Sequence, residues 1–197
     1  MAGVIPTETH DRELVAQCQA GNEAAFDALV RRHQGRAFNV AFQLLRDRED
    51  AAEVAQDAFV RVYRNIGSFR GECEFTTWLH QIVVNLARNK HRWWHRRGRE
   101  KMVSLDAPVQ SADGPVEVQL PATGGGPDAD AAQAEFVKEL SAKMAELPAQ
   151  FREVLVLRNV EELSYEEIAA VLKCSIGTVK SRIARAREAL RASLKHE

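Results

Sequence analysis

Apolar residues recur at helical spacing along residues 11 to 97 almost without interruption. Leu14, Val15 and Cys18 mark a first stripe, Phe26, Leu29 and Val30 a second, and Phe38, Phe42 and Leu45 follow at the same spacing. Positions three and four apart share one helix face, so each set predicts an amphipathic helix with that face inward. Asp47 stands where an N-cap belongs, ahead of "REDAAEVAQDAFVRVYRNI", whose Val54, Ala58 and Val62 face inward. "GSFRGECEF" then breaks the pattern with two glycines. Beyond it, Phe75, Trp78, Leu79, Ile82, Val83 and Leu86 keep steps of three and four, and Trp93 continues their stripe. Strand-like alternation is absent, so this half reads as an all-helical bundle.

The periodicity fades between 102 and 134, where four of the six prolines and a Gly-Gly-Gly lie. That composition predicts a linker. Helical spacing resumes with Phe136, Leu140 and Met144 and stops at Leu147-Pro148, where the proline suits the first turn of a new helix. Phe151, Val154 and Leu155 face inward from that helix, and "SYEE" offers a capping box of Ser164 with Glu167. A last helix starts near Ser175, with Ile176, Val179, Ile183, Ala186, Leu190 and Leu194 on one stripe. The expected fold is all-α: one helical domain over 10–98, a flexible linker over 99–134 and a second helical domain over 135–197.

A chain of 197 residues can bury a core in each of two small domains, and 45% hydrophobic residues is ordinary for a globular protein. The net charge of -1 points to no partner, but its distribution does. From Arg88 to Lys101 there are seven Lys or Arg against one acid, and from Lys173 to Glu197 seven against two. Between them, Met102 to Ala134 holds five acids and no base. Two basic blocks joined by an acidic bridge suit two contacts with a polyanion. Cys18, Cys73 and Cys174 are odd in number and lack metal-ligand spacing, which favours a reducing compartment. His91 and His95 are four apart but sit among arginines and tryptophans, so no metal and no other cofactor is expected. Neither a signal pattern nor a run of transmembrane length is present, so a cytoplasmic protein without membrane insertion is expected.

At 100° per residue, the last stripe leaves Gly177, Thr178, Ser181, Ala184 and Arg185 facing away from the core, with Lys180, Arg182 and Arg187 on the shoulders. A short capped helix, a tight turn at Lys173-Cys174 and a longer helix with such a face describe a helix-turn-helix. Small residues let a helix sit deep in a major groove, arginine reads guanine edges, and Lys, Ser and Thr satisfy phosphates. A solvated basic face is the plainer alternative. Lys173 stands where such turns often carry Gly, so the turn bears either a strained residue or another geometry. The first basic block extends the Trp78 helix, with Gln81, Asn85, Arg88 and Arg92 near its outer side. An amide such as Asn85, beside an aromatic loop bounded by glycines, can hydrogen-bond an unstacked base.

These stretches resemble the extracytoplasmic-function (ECF) sigma factors, the small two-domain class of bacterial RNA polymerase sigma subunits. "DREDAAEVAQDAFVRVYRNIGSFRG" looks like the first half of their region 2, "FTTWLHQIVVNLARNKHR" like its second half, and "LSYEEIAAVLKCSIGTVKSRIARAREAL" like the end of region 4. The likeness covers nearly the whole chain, with the segments in the right order. It implies that Asp50, Glu53, Gln56 and Asp57 bind the β′ clamp helices of core polymerase, a polar row flanked by Phe59 and Val60. It further implies that Phe69, Arg70 and Gly71 capture a flipped −10 base while Asn85, Arg88 and Asn89 contact the same strand. Arg158, Tyr165, Ser175, Thr178, Lys180, Ser181 and Arg185 match positions that grip the −35 duplex. Ala184 is small where relatives carry a bulkier residue. The implied partners are core RNA polymerase (β′ clamp helices and β flap), promoter DNA and an anti-sigma factor.

Two other readings compete. A one-component repressor or activator would join a C-terminal helix-turn-helix to an N-terminal sensing bundle, and would bind duplex tightly as a dimer without polymerase. A nucleic-acid-processing enzyme would need clustered carboxylates or a metal set near the basic helix, and Glu72 with Glu74 is too thin for that. The chain is therefore read as a binding protein, not an enzyme.

Overall fold

The structure is a computed structural model that describes residues 10–96 and 139–194. The linker expected over 99–134 and the stripe position Phe136 lie outside those residues. The chain divides into two compact units, and every regular element among the described residues is helical.

The first unit holds α1 (Asp11–Gln19), α2 (Glu23–Leu45), α3 (Arg48–Asn65), a 3-10 turn (Ile66–Ser68) and α4 (Phe75–Arg96). Its corners are written in local chemistry. Gly21 takes φ 88°, a conformation costly for other residues, and Asn22 then caps α2 by accepting from the Ala24 and Ala25 amides. Arg46 turns the chain at φ 55°, and Asp47 caps α3 by accepting from the Asp50 amide at 2.8 Å. α2, α3 and α4 pack on one another, and α1 lies on α2. Leu14, Leu29, Val40, Val62, Leu79 and Val83 fill the centre. Full burial of each such side chain stabilises by roughly 1.5–3 kcal/mol.

Two stripes differ from the expectation. On α2 the buried face is Ala37, Val40, Ala41, Leu44 and the expected Leu45, while Phe38 and Phe42 are half-buried and stack on each other at 6.0 Å. The small alanines let neighbouring helices come close, and the bulky rings are left at the rim, where Arg46 covers Phe42. Near the end of α4, Trp94 is buried and Trp93 only half-buried. The long helix also buries His80, Val84 and Ala87, so its inward face is wider than one stripe.

The remaining helices are α5 (described over 139–146), α6 (Ala149–Asn159), α7 (Tyr165–Leu172) and α8 (Ile176–Leu194); α5, α6, α8 and the first half of α7 fall in the second unit. Pro148 takes the N-cap position of α6, one residue ahead of the first turn. Residues 152 to 157 of α6 are all buried, and α6 packs on α8. Arg152 makes its burial tolerable by donating to the carbonyls of Met144, Ala145 and Leu147, at and just beyond the end of α5. Among the described residues, no helix is long and apolar enough to cross a membrane.

Candidate nucleic-acid interface

In the second unit, the expected capping box forms. Ser164 Oγ accepts from the Glu167 amide at 3.2 Å, and the Ser164 amide donates to Glu167 Oε2 at 2.8 Å. Lys173 makes the turn after α7 at φ 53°, so the position does bear a left-handed residue that is not glycine. Ser175 then caps α8: its hydroxyl accepts from the Thr178 amide at 3.1 Å and lies 2.9 Å from the Thr178 hydroxyl. Val179, Ile183 and Ala186 are buried, which turns Lys180, Ser181, Ala184 and Arg185 to solvent. Ile176, placed on the inward stripe by spacing, is instead 38% exposed.

The side chains on this face are partly ordered already. Ser181 donates to the Thr178 carbonyl at 3.0 Å. Arg158 donates to the Leu163 carbonyl at 2.7 Å, closing the α6–α7 loop, and its guanidinium lies 5.3 Å from the Tyr165 ring centre. Lys180 Nζ sits 6.0 Å from the same ring. Three residues far apart in sequence thus form one cationic, aromatic corner, held by charge–quadrupole attraction. Such a corner suits a phosphate; the exposed Arg185 suits a base edge.

In the first unit, α4 carries the second basic surface. Asn85 and Arg88 are half-buried on its flank, and the exposed Asn89 accepts from Arg92. The loop before α4 packs the Phe69 ring on Trp78 at 4.8 Å, turns at Gly71 with φ 71°, and leaves Arg70 exposed, 3.9 Å from Glu72. A ring already stacked on another ring offers an aromatic wall for a base.

The acidic row on α3 divides in two. Asp50 and Glu53 hold Lys90 of α4 at 3.1 and 2.6 Å. Burial works against the charge on Lys90, but its hydrogen bonds to Glu53 and Asp50 outweigh that and raise its pKa. Gln56 and Asp57 are exposed, as is Glu53, but lie outside that ion-pair cluster. Their apolar neighbours are not the expected pair: Phe59 is buried core, while Val60 (41% exposed) and Tyr63 (56% exposed) reach solvent. Sequence reasoning singles out neither Tyr63 nor Lys90. Tyr63 lies seven residues after Gln56 on the same helix, a signal that spacing alone could have supplied. Lys90 had none, since its partners lie on another helix.

Two family descriptions match the chain: Sigma-70 region 2 over residues 29–99, and Sigma-70, region 4 over residues 138–190. The chain is 36% identical over 190 residues to the RNA polymerase sigma-H factor of Pseudomonas aeruginosa, covering 95% of each. It is also 36% identical over 179 residues to the ECF RNA polymerase sigma-E factor of Haemophilus influenzae, covering 90% of this chain and 92% of that one. Among solved structures it is similar to the sigma factor RpoE in complex with the anti-sigma factor NepR from Bartonella quintana. The TM-score is 0.60 at 27% identity, over 87% of this chain and 98% of that one.

Proposed function

The chain belongs to the ECF branch of the sigma-70 family, and from that premise we propose which of its surfaces does what. The protein is a sigma factor: it binds core RNA polymerase and directs transcription initiation at specific promoters. In our reading α8 lies in the major groove of the −35 element, with Arg185 on base edges. Tyr165, Lys180, Ser175, Thr178, Ser181 and Arg158 address the backbone around it. The Phe69–Gly71 loop with Asn85, Arg88 and Asn89 holds exposed −10 bases. Gln56 and Asp57, with Val60 and Tyr63 beside them, meet the clamp of core polymerase. Asp50 and Glu53 support that face through Lys90.

The single observation that carries this assignment is the outer face of α8: Ser181 and Arg185 exposed opposite buried Val179, Ile183 and Ala186, with Lys180 exposed on the shoulder. Opening promoter DNA costs about 1.4 kcal/mol per stacked step. Each base stacked on an aromatic side chain returns ~1–3 kcal/mol. Captured bases therefore offset much of the opening, and core polymerase supplies the remaining contacts and the catalysis. The factor works where that polymerase is, in the cytoplasm, and by likeness to the RpoE–NepR complex it is held in check by an anti-sigma factor. Likeness to sigma factors through both regions disfavours the one-component regulator.

The test is promoter binding measured with and without core polymerase. The full chain alone should bind its promoter weakly, and the reconstituted holoenzyme tightly and with transcription. Nanomolar duplex binding by an isolated dimer of this chain would instead establish the repressor.

A further inference from the structure

Helix α1 has no role in the surfaces assigned above, yet it touches the loop that carries Phe69 from two sides. We propose that α1 is the brace of that loop and that Gln19 is its positioning residue. The proposal rests on the assignment of Phe69, Arg70 and Gly71 to base capture.

Gln19 Nε2 lies 2.9 Å from the carbonyl oxygen of Ile66 and 2.9 Å from that of Phe69. One amide nitrogen has two hydrogens, so a single side chain holds both ends of the turn that delivers Phe69. Arg12, about two turns earlier on α1, pairs with Glu74 at the far end of the loop. The loop is therefore pinned before and after Arg70 and Gly71. That ion pair is highly exposed and contributes little on its own, which leaves Gln19 as the main restraint that α1 applies.

A brace must itself be fixed, and α1 is. Asp11 accepts from Arg32 of α2 at 2.7 Å and meets His33 Nε2 at 2.8 Å, while Leu14 and Val15 are buried. Residues 69 to 74 have no regular ladder to pair their backbone, so the exposed carbonyl of Phe69 takes its donor from a side chain or from water. Gln19 supplies it. A loop that must order itself when a base arrives loses affinity to that ordering, whereas a loop already held does not.

The experiment uses the full chain reconstituted with core RNA polymerase, and a promoter selected from a randomised −10 library by that holoenzyme. The probe is the non-template −10 single strand of that promoter, with duplex −35 binding, core affinity and melting temperature measured alongside. Gln19→Ala should weaken binding of the −10 strand about three- to ten-fold, the range of one or two lost hydrogen bonds. The other three readouts should hold. Gln19→Glu should be worse, because its carboxylate faces two carbonyl oxygens. Unchanged −10 affinity in Gln19→Ala, with affinity lost in Phe69→Ala, overturns the brace alone. A −10 defect matched by equal losses in core affinity and melting temperature also overturns it, since Gln19 is then a general stability residue. If Phe69→Ala has no effect, the loop's assignment to base capture fails and the brace fails with it.

Discussion

Arg185 and Ala184 are neighbours on the exposed face of α8, and their chemistries divide what that face can read. A guanidinium reaches O6 and N7 of guanine together, whereas an alanine methyl offers only an apolar contact such as a thymine methyl accepts. Arg158 differs from both: it is half-buried and already donates to the Leu163 carbonyl. Arg185→Ala should therefore cost about 1–3 kcal/mol and relax preference at one −35 position. Transcription by the holoenzyme on templates with each −35 base varied in turn reads this out. An equal loss on every template would reassign Arg185 to a phosphate.

At the scale of elements, the joint between α1 and α2 carries a buried histidine that should make it sensitive to acid. His33 is buried there, with Asp11 on one side of its imidazole and the Phe75 ring 5.2 Å away. Burial lowers its pKa; the Asp11 carboxylate opposes that, and Arg32 and Arg36 add to it. The ordinary pKa of histidine is about 6.5, so below that pH the unfolded chain takes up a proton that the folded one resists. Stability is then lost as pH falls from about 6.5 toward the lowered folded pKa, and is fully present above that window. Replacing His33 with Gln keeps a donor for Asp11 and removes the titration. Thermal melts of wild type and His33→Gln between pH 7.5 and 5, a window of roughly the ordinary His range, should diverge in slope only on the acid side. Parallel slopes would mean that His33 titrates alike in both states.

For the whole molecule, what matters is that the proposed function divides three binding surfaces between two compact units. In that assignment the −10 surface and the polymerase row belong to the first unit and the −35 face to the second, so the contacts should fail separately. Gln56 and Asp57 are exposed on α3 while Val54, Ala58 and Val62 of the same helix are buried. Removing both side chains should thus leave the bundle folded, since surface substitutions usually change stability by less than ~0.5 kcal/mol. Gln56→Ala with Asp57→Ala should weaken association with core polymerase in a competition assay, with the order of preference among −35 variants unchanged. Undiminished competition for core would move the clamp-binding surface elsewhere on the unit.

Helix existence, caps and facing were legible in the residues themselves, because they depend on interactions within a few positions. The Asp47 cap and the Ser164–Glu167 box form as read, the last helix starts beside Ser175, and Val54, Ala58, Val62, Val179, Ile183 and Ala186 are buried as their spacing requires. Membership of the sigma family was legible too, since its motifs are local strings in a fixed order. What tertiary structure decided are contacts between residues with no fixed separation. Lys90 belongs to Asp50 and Glu53, Arg158 and Lys180 meet on Tyr165, and Gln19 reaches Ile66 and Phe69. Spacing could not rank Phe38 against Ala37, or Trp93 against Trp94, because adjacent positions on a helix differ by only 100°. Which of two neighbouring faces is buried depends on how closely the next helix can approach, and small residues settle that only once a partner helix is in place.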